Sequence, residues 1–134
     1  IAFDDQKISH IASSKPIFIT ACPDHIAQML DKDVSNAIQV ALPQTEVIVK
    51  LERIKGYARI IVSNKGVCID AENSQSLFDS MISVRSESKD RSLHLGLGLY
   101  IARTITEFYK GSIAIENEQD ASGVNLQILL PLQD

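Results

Sequence analysis

Two glycines before a well-patterned helix are the residues in this sequence best suited to binding a phosphate. Gly96 and Gly98 stand in HLGLGLYIARTI, between a polar segment and an apolar repeat of helical spacing. The first turn of a helix offers unpaired backbone N–H groups and the positive end of the helix dipole, which attract phosphate oxygens. Glycine lets the backbone approach such a ligand closely. The pair favours a phosphate-binding turn, although glycines that only ease a tight turn show the same spacing.

Three further residues extend this pattern toward a nucleotide. Asn64 and Gly66 follow the β-branched stretch YARIIVS. An amide at the end of a strand could hydrogen-bond a base edge, and a glycine beside it lets a ring lie against the backbone. Asn36 borders the apolar stripe of a predicted helix, where its amide oxygen could reach a metal ion.

Alternating strands and amphipathic helices must position these residues. Strands are predicted over residues 15–20, 45–52, 57–63, 112–117 and 124–132. Helices are predicted over about 23–41, 76–81 and 97–110, with Lys110 and Gly111 as the last stop signal. A turn through Lys55-Gly56 predicts a hairpin. The pattern predicts a two-layer α/β sandwich: a mixed sheet of about five strands with about three helices on one face.

Bulk composition limits the class of protein. The 134 residues fit a single domain, 1–134, and 45% hydrophobic with 22% charged residues is typical of a soluble globular chain. A net charge of −4 argues against a nucleic-acid partner. No apolar run could span a bilayer and no signal peptide is visible. Cys22 and Cys68 lack a metal-type spacing and are expected to be free thiols.

In chain order, four segments resemble the nucleotide-binding boxes of the histidine kinase catalytic domain. They are SNAI (35–38), NKGVCI (64–69), LFDSM (77–81) and LGLGLYIA (95–102). The resemblance covers about residues 16–132 and implies the Bergerat-type fold shared with gyrase, MutL and anti-sigma-factor kinases. VSNKG and LFDSMISVR also resemble a subfamily of proteobacterial kinases encoded beside sortases.

The resemblance implies ATP and magnesium as ligands. It makes Asn36 the magnesium ligand and Asn64 the contact to the adenine amino group, with Gly66 and Ile69 beside the base. Residues 83–95 would form a mobile lid over ATP.

Within that lid, Arg85 and Arg91 could pair with the terminal phosphates, as could Lys89 and His94, although a solvated loop would hold the same charges. The implied phosphate contacts are Leu95, Gly96, Leu97, Gly98 and Leu99.

Four positions depart from the family pattern. The first glycine box usually opens with Asp, where this chain has Asn64. Cys68 and His94 replace glycines. Asp33 stands in the apolar stripe, where the family has Leu. Either this carboxylate joins Asn36 at the metal, or the helix rolls so that it reaches water or a lysine; we favour the second.

Position 32 separates transfer from hydrolysis. Gyrase-like ATPases and anti-sigma kinases carry a general-base Glu four residues before the metal-binding Asn, whereas this chain has Lys32. A cation cannot accept a proton from water, so a dedicated hydrolase is disfavoured. We therefore expect Lys32 and Asn36 to serve in-line transfer of the γ-phosphoryl group to a histidine, which needs no such base.

The expected acceptor lies outside this chain. His10 and His25 lack the surroundings of a dimerisation helix and are expected at the surface. The chain starts at Ile1 rather than Met, which suggests a piece of a longer protein. The resemblance implies a monomeric, cytoplasmic fragment of a membrane-bound homodimer whose dimerisation segment carries the histidine and whose partner is a response regulator. Two alternatives remain: a nucleotide-binding but catalytically silent regulatory domain, and a protein-interaction module that kept the fold without ATP.

Overall fold

The computed structural model of the chain describes residues 7–66, 89–118 and 122–133. Its strands are β1 (Lys7–Ile11), β2 (Glu46–Ile54), β3 (Tyr57–Lys65), β4 (Ser112–Asn117) and β5 (Gly123–Pro131). Its helices are α1 (Pro23–Val40) and α2 (Lys89–Phe108). The predicted helix over 76–81 lies outside the described residues. Neither described helix is both long and apolar enough to cross a membrane.

The strands form one mixed sheet in the order β1-β2-β3-β5-β4. Strand β1 runs parallel to β2, and the other neighbours are antiparallel. The predicted hairpin joins β2 to β3 through Lys55 and Gly56, whose φ angles of 24° and 84° are both positive, as in the turns that suit the twist of a hairpin. The predicted α/β sandwich with a mixed five-stranded sheet is confirmed.

One face of the sheet carries the core, and the other is polar. Alternate residues of β3 and β5 are buried, among them Ala58, Val62, Leu126 and Ile128. Both helices contact this face. The opposite face holds ion pairs such as Arg59 with Glu52. Period-two burial thus separates a helix-covered layer from an open, charged one.

Helices α1 and α2 pack antiparallel. The backbone N–H of Cys22 donates to the Tyr109 hydroxyl at 3.0 Å, so the start of α1 lies at the end of α2. Thr106 donates from Oγ1 to the Met29 sulfur at 3.3 Å. Met29 lies seven residues after Cys22 and Thr106 lies three residues before Tyr109, so the two helices run in opposite directions.

The prediction of a strand over residues 15–20 was wrong. Residues 16–20 have no strand pairing, and the first strand is β1 instead. The segment is tied by the Phe18 carbonyl, which accepts from the N–H of Gln133 at 2.8 Å. Phe18 is 67% exposed while Ile19 packs against the core. The alternation therefore comes from an extended segment covered on one side, rather than from a hydrogen-bonded ladder.

Helix α2 begins at Lys89, eight residues before the predicted start at Leu97. Gly96 and Gly98 consequently lie inside the helix, and residues 89–95 of the predicted lid are helical. The segment KDRSLHL contains no glycine or proline, and Asp90 suits the first turn of a helix. The first two turns of α2 are mostly polar, so a prediction based on the spacing of apolar residues starts the helix too late.

At the end of α2 the left-handed residue is Lys110, whereas in many helices a glycine takes that conformation. Lys110 adopts the left-handed conformation with φ 63°, and the Gly111 N–H donates to the Thr106 carbonyl at 2.9 Å. A Cβ on Gly111 would collide with the backbone carbonyl oxygen of Leu129. Glycine is thus required here because the chain passes close to the backbone of β5 as it leaves α2 and enters β4.

Gly111→Ala is expected to lower the free energy of unfolding by about 2 kcal/mol, because the clash is with backbone and forces α2 away from the sheet. Urea unfolding measures the change. Gly56→Ala is the matched comparison: its Cβ would meet nothing within 4 Å, so only the positive φ opposes it, at about 1 kcal/mol. A Gly111 variant no less stable than the Gly56 variant would contradict the close approach.

Candidate nucleotide site

The backbone around Asn64 is held on both sides. Leu42, just after α1, donates its N–H to the Lys65 carbonyl at 2.9 Å, and Ala41 forms an isolated β-bridge with Gly66. On the other side the Gly66 N–H donates to the Ser122 carbonyl at 3.1 Å. The end of β3 is therefore clamped between the chain leaving α1 and the chain entering β5.

Two glycines make this clamp sterically possible. A Cβ on Gly66 would lie 2.6 Å from the carbonyl oxygen of Val40, which is the last residue of α1. A Cβ on Gly123 would collide with the backbone oxygen of Asn64. Gly66 is one of the residues that the sequence predicts beside the base, whereas no role was predicted for Gly123.

A charged cluster braces the same strand end from the open face of the sheet. Lys65 Nζ lies 2.8 Å from Glu118 Oε2 and 3.0 Å from the Ser122 hydroxyl. The Ser122 hydroxyl also donates to Glu118 Oε2 at 3.1 Å. This cluster ties the approach to β5 to the strand that carries Asn64. Sequence reasoning missed it because its members are far apart in the chain and form no motif.

Two buried amides retain unpaired nitrogens. Asn36 is 8% exposed and Asn64 is 5% exposed. Within the described residues, Nδ2 of each has no hydrogen-bond partner. Buried polar atoms are paired in nearly all native structures, so these two nitrogens are unusual within the described part of the chain. Both residues were predicted as ligand contacts.

Asp33 is buried, contrary to the expectation that it reaches water or a lysine. It is 1% exposed, and neither carboxyl oxygen has a partner among the described residues. Burial raises the pKa of this carboxyl well above its ordinary value, because desolvation penalises the charged form. The residue lies on the buried side of α1, so the helix does not roll to expose it.

Leu99, the last of the predicted phosphate contacts, directly follows Gly98 on α2. Leu99 is 1% exposed and belongs to the core, so its side chain is used for packing.

The other predicted phosphate contacts are less fully described. Arg91, Leu95, Gly96, Leu97 and Gly98 lie on the helical backbone of α2, where only the main chain is described. Ile69 and Arg85 lie outside the described residues, as do Cys68 and the box at 77–81.

Lys32 and the histidines complete the predicted set. Lys32 is half-buried, one turn before Asn36 on α1. His10 and His25 are exposed, as expected, and Cys22 is a free, exposed thiol. His25 Nδ1 lies 2.6 Å from the Tyr109 hydroxyl, at the end of the helix pair remote from Asn36.

Comparison with known proteins agrees with this arrangement. Residues 21–134 match the family of histidine kinase-, DNA gyrase B-, and HSP90-like ATPases. The chain is 28% identical over 132 residues to the sensor protein DltS of Streptococcus agalactiae, covering 98% of this chain and 33% of DltS. It is 28% identical to the sensor histidine kinase CusS of Escherichia coli O157:H7, covering 81% of this chain and 22% of CusS.

A solved structure shows the same fold. The mycobacterial sensor histidine kinase MprB superimposes with a TM-score of 0.81 at 19% identity, covering 98% of this chain and 85% of that one. The narrower likeness to the sortase-associated subfamily stays a prediction. With a family match over most of its length, the chain belongs to the histidine kinase-, DNA gyrase B- and HSP90-like ATPases.

Proposed function

We propose that this domain binds ATP with magnesium and donates the γ-phosphoryl group to a histidine on the dimerisation segment of its parent kinase. The proposal rests on two buried amides, Asn36 and Asn64, whose nitrogens have no hydrogen-bond partner among residues 7–66, 89–118 and 122–133. A scaffold that only packed against other proteins would have no use for two desolvated amides beside a glycine-bearing clamp. Asn64 would meet the base, and Gly66 and Ile69 would border it.

Magnesium fits the residues present. Asn36 offers an amide oxygen, a ligand type that Mg²⁺ accepts, on a buried side chain of α1. No group of three His, Cys, Asp or Glu residues is placed to hold a metal among residues 7–66, 89–118 and 122–133. Asn36 would therefore share the ion with nucleotide phosphates. When bound, the ion neutralises charge on the β- and γ-phosphates.

Charge at the phosphates would also come from α2 and the predicted lid. Gly96 and Gly98 lie inside α2, beyond its first four residues, so their N–H groups belong to the helical hydrogen-bond ladder and they would offer a phosphate only a helix surface free of Cβ atoms. Arg85 and Arg91 would pair with the terminal phosphates. Lys32 stands where hydrolytic relatives hold a general base, which favours transfer to imidazole over attack by water.

The partners of the parent protein are part of the proposal. DltS and CusS are named as sensor proteins, and this chain spans about a third of the one and a fifth of the other. We propose that the parent is a membrane-bound homodimer, that this domain lies in the cytoplasm, and that a response regulator receives the phosphoryl group.

The test is incubation with radiolabelled ATP and magnesium. The chain alone should remain unlabelled, because neither exposed histidine has the surroundings of a dimerisation helix. His10 lies in strand β1, and His25 lies in the first turn of α1 beside the Tyr109 hydroxyl. Addition of the parent's dimerisation segment should produce acid-labile phosphohistidine on that segment.

Stable label on His10 or His25 would overturn the acceptor assignment. Binding of ATP without transfer to the segment would favour the silent regulatory domain, which the buried Asp33 beside Asn36 makes the second candidate. Absence of nucleotide binding would overturn both.

A further inference from the structure

We propose that Asn64 lets this site accept guanine as well as adenine nucleotides, so that its substrate class is purine nucleotides in general. The inference rests on the proposed function, in which residue 64 reads the base. It concerns residue 64, where this chain has an amide and the family that it resembles usually has a carboxylate.

The position of Asn64 is set by its backbone. It pairs with Val124 in the ladder between β3 and β5. The neighbouring residue Lys65 is held by Leu42, and Gly123 approaches the Asn64 carbonyl too closely to admit a side chain. The Cβ of Asn64 therefore has little freedom, and only the side-chain torsions remain adjustable.

The described residues do not fix the orientation of the amide through its nitrogen. Asn64 is 5% exposed, yet its Nδ2 has no partner among them. A Cβ on Gly66 would stand 3.3 Å from Nδ2, and the hydrogen there leaves room instead. No bond from Nδ2 to the described protein opposes a half-turn of the terminal torsion, which exchanges the donor and acceptor ends of the amide.

That exchange matches the difference between the two purines. Adenine presents an amino donor at its six position and guanine a carbonyl acceptor. A carboxylate only accepts hydrogen bonds, so it pairs with the amino group and repels the carbonyl. The amide of Asn64 can present its oxygen to adenine or its nitrogen to guanine at the same place. Both pairs are neutral and comparable in strength.

The experiment measures ADP and GDP affinities by calorimetry in one magnesium-containing buffer, for the unchanged chain and for Asn64→Asp. The unchanged chain should bind the two nucleotides within about threefold of each other. Asn64→Asp should tighten ADP and weaken GDP, because hydrogen bonds to charged groups are the stronger ones and the guanine carbonyl is repelled. The affinity ratio should widen by at least about tenfold, which corresponds to about 1.4 kcal/mol.

Asn125→Asp is the matched control. Asn125 lies on β5 beside the same strand, but it accepts from the Ser63 hydroxyl at 2.6 Å on the open face of the sheet. The Asn125→Asp substitution adds the same charge nearby without touching the base. The ADP and GDP affinities of this variant should therefore stay within about twofold of those of the unchanged chain. An equal widening in this control would show a long-range charge effect and overturn the proposal.

The remaining outcomes separate this inference from the function beneath it. A chain that binds ADP tightly, rejects GDP and keeps its ratio in Asn64→Asp would overturn purine tolerance while leaving the kinase proposal intact. Loss of ADP binding on Asn64→Leu would support residue 64 as the base contact. Failure of the unchanged chain to bind either nucleotide overturns the proposed function itself.

Discussion

Asp33→Leu is expected to raise the free energy of unfolding by about 2–3 kcal/mol at pH 7. An unpaired polar group costs about 1–3 kcal/mol to bury, and a buried leucine contributes about 1.5–3 kcal/mol, against some strain from the larger side chain. Asp33 is 1% exposed with both carboxyl oxygens unpaired in the described part of the chain.

The same carboxyl should make stability depend on pH. Burial raises the pKa of Asp33 in the folded state above its unfolded value near 3.9. The folded chain then holds a proton that the unfolded chain releases. The stabilisation that the Asp33 carboxyl contributes is therefore complete below about pH 4. Above that, the free energy of unfolding falls by about 1.4 kcal/mol per pH unit as the pH rises toward the folded pKa.

Denaturant unfolding from pH 4 to pH 8 measures this loss. Asp33→Asn removes the titration with little change in shape, so the difference from the unchanged chain should grow with pH and then level off. Asp31→Asn is the control, because Asp31 is exposed on the same helix and should shift the whole profile by less than about 0.5 kcal/mol. A parallel profile for Asp33→Asn would mean that the carboxyl is ionised and stabilised by a group outside the described residues.

The elements that sequence alone could predict are those whose burial is periodic. Helix α1, the hairpin of β2 and β3, and strands β4 and β5 agree with the sequence-based bounds to within two residues. Each has one face against the core, so its apolar spacing reports its conformation directly. Pro23 and Gly56 add local signals at an end and a turn.

The elements that could not be predicted depend on tertiary contacts. Strand β1 has Ile8 and Ile11 about half exposed, and it is a strand only because it pairs with β2 at the sheet edge. The opening turns of α2 are polar and show no apolar period. Pattern and spacing carry no information about such cases.

The site divides along the same line. Gly66, on one side of the clamp at the end of β3, belongs to a motif that the sequence shows. The other side depends on β5 lying next to β3, and it consists of Gly123 and the Lys65–Glu118 ion pair. Strand order does not follow from the sequence. Asp33 shows the opposite failure: its helical spacing pointed inward, and the general rarity of buried carboxylates argued wrongly for exposure.

Asn36→Ala is expected to reduce phosphoryl transfer to the parent's dimerisation segment by about 10²–10³-fold. Metal coordination contributes several kcal/mol of charge stabilisation, and each 1.36 kcal/mol is a factor of ten in rate. The variant should fold, because it deletes a buried amide whose nitrogen is unpaired in the described structure. Its thermal melt should confirm that before any rate is compared.

Binding separates a metal role for Asn36 from a purely structural one. In the unchanged chain magnesium should tighten ATP, whereas in Asn36→Ala the affinity should be the same with magnesium or with a chelator. Asn36→Asp should restore the magnesium effect, because a carboxylate oxygen is also a Mg²⁺ ligand. Gln28→Ala, an exposed change on the same helix, should alter neither quantity. If magnesium still tightened ATP on Asn36→Ala by its original factor, the ion would be held by the phosphates and other groups, and Asn36 would have no part in binding it.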